Sequence, residues 1–371
     1  MKMIWQKTCV EKFDTVKDFF EEYKIGKGDL IFTQEFIYQP LIAPLGEEAD
    51  ILYYEKYGQG EPSSTTIDKI FAEIKGKDYK RVIAIGGGSV VDVAKVLVFA
   101  GAERAIDLWD RKIPLNKTRE LMILPTTCGT GSEVTNIAIA EIVEKHTKYG
   151  LADDILYADK AVLIPELIST LPYPFFLYSS LDALIHSVES LVSPKSNIYT
   201  ELYAKNAIRM IMNGYMTIIK EGPDARQKLL EDFAIASNQA GIAFGNTGVG
   251  AVHACSYPLG GGYHVPHGEA NYEFFVKIFK EYDKKNPTGK ITQVKEILAE
   301  ILGVAQEGVF DKLGEALSSL IKVKPLREYG MKEEEIETFA DSVVENQQRL
   351  LANNYVPFTR DEIRDIFKDL Y

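Results

Sequence analysis

The apolar pattern of this 371-residue chain changes period near Pro174, and that change restricts its possible folds more than any other feature. Upstream, five short apolar runs, GDLIF (28–32), DILYYEKY (50–57), RVIAI (81–85), ELMILP (120–125) and AVLIP (161–165), read as buried strands. Amphipathic stretches such as TTIDKIFAEIKGKDY and SVVDVAKVLVFAGA lie between them. Such strand–helix alternation predicts a parallel, doubly wound sheet that receives ligands beyond the carboxyl ends of its strands. Downstream the strand signal stops. FFLYSSLDALIHSVESLV, TELYAKNAIRMIMNGYMTIIKEG and ARQKLLEDFAIASNQAGIAFG carry the three-to-four-residue period of packed helices. EEEIETFADSVVENQQRLLANN predicts one amphipathic helix stopped by Asn-Asn, and the capping box Thr359–Glu362 opens another. The expected architecture is an α/β domain with a parallel sheet over residues 1–173 and an all-α domain over residues 174–371.

A formal net charge of −12 opposes binding to nucleic acid, whose phosphates require clustered Lys and Arg, and to an anionic membrane surface. The most apolar stretch, Val82–Ala100, is interrupted by a glycine triplet, Asp92 and Lys95, so it does not read as a bilayer helix. The N-terminal MKMIWQKTCVEKFD lacks the unbroken apolar run of a signal peptide. Three cysteines, Cys9, Cys128 and Cys255, are an odd number without framework spacing, which suits a reducing compartment. The expectation is a cytoplasmic protein, an enzyme by its size, with neither a nucleic-acid nor a membrane partner.

Two loops at predicted strand ends stand out. In RVIAIGGGSVVDVAKVL a strand runs into Gly86, Gly87 and Gly88, then a helix opened by Ser89 with Asp92 three residues on. Glycines allow a backbone to approach an anion closely, and free amides at a helix start point at it. The same residues also make a plain tight strand–helix turn, since neither a G-x-G-x-x-G fingerprint nor a P-loop is present. In MILPTTCGTGSEVT, Thr126, Thr127, Thr130 and Ser132 bring four hydroxyls to one strand end. Two such loops fit an extended ligand with phosphate and sugar oxygens, a dinucleotide. Cys128 among them reads as a small buried residue.

Five histidines are present, and three of them, His253, His264 and His267, fall in GAVHACSYPLGGGYHVPHGE. Asp182 and His186, four apart in SSLDALIHSVES, share one helix face. Gly260, Gly261 and Gly262 are expected to hinge the chain so that His253 and His267 meet. The four make a three-imidazole, one-carboxylate set suited to Zn²⁺, Fe²⁺ or Mn²⁺ rather than to Ca²⁺ or Mg²⁺. The alternative is that some of these histidines only hydrogen-bond within the helical domain.

GGGSVVDVAK, PTTCGTGSEVT, SSLDALIHSVE and AVHACSYPLGGGYHVPHGEAN stand in the order and spacing of the iron-dependent alcohol dehydrogenase family, which the chain resembles from about Lys27 to NNYVPFTRDEI. Within it, KYGLADDILYA, HVPHGEANY and PLREYGMKEEEIETFADSV are most similar to its branch acting on 4-hydroxybutyrate. The resemblance implies a nucleotide-binding domain, a helical metal domain and a substrate cleft between them. It implies Asp182, His186, His253 and His267 as metal ligands, Gly87, Gly88 and Ser89 as the diphosphate turn, and Thr126, Thr127 and Thr130 as the second cofactor loop. Lys148 falls where the family places a lysine near the nicotinamide ribose. NAD and Fe²⁺ are the implied cofactors, with NADP and Zn²⁺ kept open, and a small hydroxy acid or aldehyde and a second copy of the chain are the implied partners.

Two departures from the family pattern bear on function. The position four residues after His253, a proton-transferring histidine in many members, is Tyr257, which leaves Tyr257 or His264 as the relay. The Asp that many members place at the end of the first strand, against the ribose hydroxyls, is here Gln34. An acid substrate also needs a receptor for its carboxylate, and His264, Lys148, Arg360 and Asn246 are the candidates. Rival readings are a dehydrogenase of another small alcohol or diol, and a dehydroquinate-synthase-like lyase, against which the metal-ligand motif counts.

Overall fold

The computed structural model describes residues 2–371 except Gln59, Ala100 and His146, and of Thr147 only the backbone. Contacts divide the chain into a unit of residues 6–171 and a second of residues 172–371 joined by the residues before Gln6.

The first unit carries eight strands: β1 (Cys9–Lys12), β2 (Asp29–Thr33), β3 (Asp50–Tyr53), β4 (Arg81–Gly86), β5 (Glu120–Pro125), β6 (Ile137–Ile142), β7 (Thr147–Ala152) and β8 (Lys160–Leu163). Its helices are α1 (Val16–Tyr23), α2 (Glu35–Leu41), α3 (Ser64–Ile74), α4 (Gly88–Leu97), α5 (Ala105–Trp109) and α6 (Pro165–Ser169). Six strands form one sheet in the order β1-β8-β5-β4-β2-β3, every pairing parallel. The two-residue period of the strands divides their side chains between two cores. Leu30, Phe32, Val82, Ala84, Leu121 and Ile123 join α3 and α4 on one face. Ile31, Ile83, Ile85, Met122 and Leu124 join α1, α2 and α6 on the other. Burial on both faces is why these strands read as continuous apolar runs, and it makes the sheet doubly wound as expected.

From β2 the chain moves outward to β3, and from β4 it moves the opposite way to β5, so connections diverge between β2 and β4. That is the topological switch point where open α/β sheets receive ligands. Thr33 Oγ1 donates to Ile85 O at 2.7 Å and ties the two strand ends together. All five strands read from sequence are present. The reading did not include β1, a short and mostly exposed edge strand, or the antiparallel β6–β7 pair, which lies apart from the main sheet.

The second unit is helical: α7 (Tyr173–Val192), α8 (Ile198–Glu221), α9 (Leu230–Thr247), α10 (Ala251–Tyr263), α11 (His267–Lys285), α12 (Lys290–Leu302), α13 (Val309–Leu320), α14 (Glu335–Asn346), α15 (Gln348–Leu351) and α16 (Arg360–Leu370). The capping box at Thr359 and Glu362 forms as read, with both reciprocal hydrogen bonds made. The single helix expected near the C-terminus is instead two, α14 and the one-turn α15. Asn346 is a weak helix former, and Gln347 leaves helical geometry at φ −111°, ψ 26°. The start of the chain is laid along this unit: Asn197 Nδ2 donates to Met3 O, and Asn246 exchanges two hydrogen bonds with the Trp5 backbone. No helix among the described residues is long and apolar enough to cross a membrane.

On α11, Glu273 is 2% exposed; it accepts from Tyr329 Oη at 2.7 Å and from the Lys324 amide at 2.9 Å. Burial, aided by the charge of Glu269, pushes its pKa up to about 7 against the pull of those two donors. The unfolded chain, where the group has its ordinary lower pKa, therefore releases this proton first. Stability falls as pH rises from the ordinary carboxylate range to about 7 and is flat above. The Glu273→Gln variant is expected to lose this dependence, gaining up to about 3 kcal/mol on the parent between pH 5 and 8. Urea unfolding of both proteins at the two pH values checks this.

Candidate metal centre and cofactor loops

Asp182 and His186 lie one turn apart on the buried face of α7, His253 lies in the first turn of α10, and His267 begins α11. One ligand atom from each falls within 4.8 Å of every other. His186 Nε2 and His253 Nε2 are 3.0 Å apart, and Asp182 Oδ1 lies 3.6 Å from His253 Nε2 and 3.7 Å from His267 Nε2. His186 is sandwiched between the Phe244 ring (centroids 4.1 Å) and the His253 ring (4.7 Å), which fixes its plane. Two imidazole nitrogens directed at one point beside a carboxylate call for positive charge between them. Burial disfavours the Asp182 carboxylate, yet the fields of His186 and His267 and a hydrogen bond with His253 hold it well below the ordinary carboxylate range. Burial also disfavours charge on His253, but hydrogen bonds to Asp182 and Glu189 raise it to about 9. The donor set fits a borderline divalent ion such as Fe²⁺ or Zn²⁺.

The chain reverses between His253 and His267 by a different route from the expected glycine hinge. Gly260, Gly261 and Gly262 are helical, in the last turn of α10. His264 makes the turn, ending α10 in the left-handed region at φ 55°, and Pro266 caps α11. Gly268 is required for another reason: a Cβ there would lie 2.2 Å from Tyr178 O and 3.4 Å from Asp182 Cβ, so only glycine lets α11 approach α7 at the metal centre.

Sequence reading missed two side chains that touch the cluster. Glu189 Oε2 lies 2.6 Å from His253 Nδ1, and Glu189 Oε1 accepts from the Val252 amide at 2.8 Å. Asn271 Nδ2 donates to Asp182 Oδ1 at 2.8 Å and lies 3.1 Å from His267 Nε2, while its Oδ1 accepts from Ser256. The signal was helical spacing: Glu189 follows Asp182 and His186 in an i, i+4, i+7 series, and Asn271 stands four residues after His267.

The two glycine-containing loops of the first unit meet. Gly86 ends β4 against the Val90 side chain. A Cβ on Gly88 would come within 3.0 Å of Thr130 Cγ2, so the turn and the threonine loop form one continuous cradle. Helix α4 begins at Gly88 with Gly87 as its cap, not at Ser89, and no side chain caps it. Its first amides are therefore available to an anion. Thr127 Oγ1 is buried without a partner. Asp92 and Ser132 bond to each other and to the backbone: Ser132 Oγ donates to Asp92 Oδ1 at 2.6 Å, and Asp92 Oδ2 accepts from the Ile139 amide. The fully buried Lys95 adds bonds to Ser132 Oγ (2.7 Å), Thr135 Oγ1 (3.1 Å) and Ile137 O (2.6 Å), bracing the loop and the β6–β7 pair against α4. Cys128 is fully buried, as read.

Of the remaining candidates, Thr126 is buried beside β4 through its amide bond to Gly86 O, and Gln34 opens α2 at the switch point. Lys148, on β7, is ion-paired with Glu61. Tyr257, one turn after His253, has its ring 6.4 Å from that of His267. Arg360 is bound by Asp341 and Glu337, and Asn246 by Trp5.

A model of the iron-containing alcohol dehydrogenases matches residues 8–165, and one of the C-terminal domain of the Fe-containing alcohol dehydrogenase family matches residues 176–371. The chain belongs to the iron-containing alcohol dehydrogenase family. It is 55% identical over 371 residues, all of both chains, to a 4-hydroxybutyrate dehydrogenase of Clostridium kluyveri. It is 30% identical to long-chain-alcohol dehydrogenase 1 of Geobacillus thermodenitrificans, over 88% of this chain and 84% of the relative. The fold matches a sulfoacetaldehyde reductase from Bifidobacterium kashiwanohense, solved with NAD⁺, at TM-score 0.84 and 22% identity, over 99% of this chain and 98% of the other. It matches a 1,3-propanediol oxidoreductase at TM-score 0.85 and 23% identity, over 99% of each chain.

The Asp182→Asn variant is expected to bind its metal at least about tenfold more weakly than the parent. Gly268→Ala should do the same and also cost about 1–3 kcal/mol of stability, because the added methyl meets backbone. Metal analysis after dialysis, with thermal unfolding alongside, checks both; full occupancy in Asp182→Asn would remove that residue from the ligand set.

Proposed function

We propose that this protein interconverts 4-hydroxybutyrate and succinate semialdehyde, with NAD as hydride carrier and an iron ion held by Asp182, His186, His253 and His267. The observation that carries the reading is the 55% identity to the Clostridium kluyveri 4-hydroxybutyrate dehydrogenase over the whole length of both chains. When bound, the ion would supply Lewis acidity that lowers the pKa of the substrate hydroxyl, and NAD would supply the hydride acceptor for the carbinol carbon.

The protein's own groups do the rest. Gly87, Gly88 and Ser89 present the uncapped start of α4 to the diphosphate, and Thr127, with its partnerless hydroxyl, faces the same ligand. Thr130 completes the wall of the cradle, which Asp92, Lys95 and Ser132 brace from behind. Support for NAD over NADP comes from Glu55, which accepts from the Glu35 amide at 2.5 Å and so sets a carboxylate beside Gln34, against a 2′-phosphate. Tyr257, beside His267, carries the hydroxyl proton away. His264 receives the substrate carboxylate, since Arg360, Lys148 and Asn246 are engaged elsewhere. A cytoplasmic location is supported by three cysteines without a disulfide, and a homodimer is inferred from the family resemblance.

With succinate semialdehyde the iron-loaded protein is expected to oxidise NADH, followed by its absorbance, at least about tenfold faster than with butyraldehyde, which lacks the carboxylate. Equal rates would leave a general alcohol dehydrogenase. Tyr257→Phe should lower kcat by about 100-fold with the metal still bound.

A further inference from the structure

Glu189 is not among the four ligands, yet it is 2% exposed and spends both carboxylate oxygens at the metal centre. Oε1 accepts from the Val252 amide in the uncapped first turn of α10 at 2.8 Å, and Oε2 faces His253 Nδ1 at 2.6 Å. An ionised carboxylate only accepts hydrogen bonds, so the proton of a neutral His253 belongs on Nδ1. The lone pair is then on Nε2, the atom 3.0 Å from His186 Nε2 and 3.6 Å from Asp182 Oδ1.

Resting on the four-ligand reading above, we infer that Glu189 is a positioning residue of the metal centre, which locks His253 in its Nε2-ligating tautomer and brings the second negative charge that neutralises a buried dication. Counting Asp182 alone leaves a divalent ion one positive charge in excess; adding Glu189 removes it. The Phe244 stack fixes His186, Asn271 bridges Asp182 and His267, and Glu189 does the corresponding work for His253. Carboxylate partners of this kind raise the basicity of the imidazole they hold, and losing one costs about 10–100-fold in metal affinity.

Glutamine at this position keeps the cap on α10 and removes both the lock and the charge. Its single oxygen can cap the Val252 amide, but its NH₂ then faces His253 Nδ1 and favours the tautomer with the proton on Nε2. Co²⁺ is a suitable probe, with its dissociation constant read by chelator competition and its coordination by visible absorption. Glu189→Gln is expected to bind Co²⁺ about 10–100-fold more weakly than the parent. Affinity within twofold of the parent would mean a merely structural role and would overturn the inference. A second measurement needs no variant: ¹⁵N-histidine NMR of the Zn²⁺-loaded parent should give a protonated Nδ1 on His253, and a protonated Nε2 refutes the assignment. If the parent binds no Co²⁺, the four-ligand reading itself fails and the inference with it.

Discussion

A carboxylate buried among packed helices is the constraint around which the C-terminal unit is organised. Removing the Asp182 charge from water is costly unless positive charge and hydrogen bonds replace the lost hydration. The surroundings supply both: imidazoles from α7, α10 and α11, and an amide donor from Asn271. The requirement propagates outward. His186 needs its plane fixed and stacks on Phe244; His253 needs its tautomer fixed and meets Glu189; α11 needs to lie against α7 and carries Gly268 at the contact. Neutralising one member of the Asp182, His186, His253 and His267 cluster changes the field on the others, so the cluster behaves as a unit.

A second buried charge plays the equivalent part in the α/β unit. Lys95 is fully buried, and burial pulls its pKa down against the carboxylates of Asp92 and Glu133. Its hydrogen bonds run to the threonine loop and to β6, so the ammonium ties α4 to both. Asp92 and Ser132, expected at the cofactor, take part in this internal bracing. The cradle leaves uncapped the amides at the start of α4, and the Thr127 hydroxyl has no partner. A rigid wall with a few unspent donors suits an anionic ligand, because the cost of ordering the loop is met on folding and not on binding.

Local pattern made much of this legible. Doubly buried strands show as unbroken apolar runs, so the five central strands could be read, while the exposed β1 and the separate β6–β7 pair lacked that signature. Asp182 and His186 were visible because helical spacing alone sets them on one face. The meeting of His253 and His267 was anticipated, but its cause was misplaced. Three consecutive glycines suggest a hinge, yet α10 runs through them and reverses only at His264, in a conformation that glycine or asparagine adopts more readily. Glu189 and Asn271 escaped notice because an acid or amide on a helix face is ordinarily solvated; only the packing of α7, α10 and α11 makes them internal. Arg360, a candidate anion receptor in the sequence, is a partner of Asp341 and Glu337 in the fold.

Charge balance bears on how an acid substrate could be selected by a chain with a formal charge of −12. If Asp182 alone faced a divalent ion, the centre would keep a positive excess and attract any anion. With Glu189 included it is neutral before substrate arrives, so it would favour a hydroxyl becoming an alkoxide without distinguishing an acid from a simple alcohol. Selectivity then has to be exercised at the far end of the substrate, by a group not already committed to another carboxylate. Arg360 and Lys148 are paired and Asn246 is bound to the N-terminal segment, and the group proposed for that end is His264. That residue stands three positions before His267 and is held in a left-handed conformation that costs about 1–2 kcal/mol outside glycine. Strain of this kind persists where the surrounding structure over-determines it, commonly beside a site that uses the side chain.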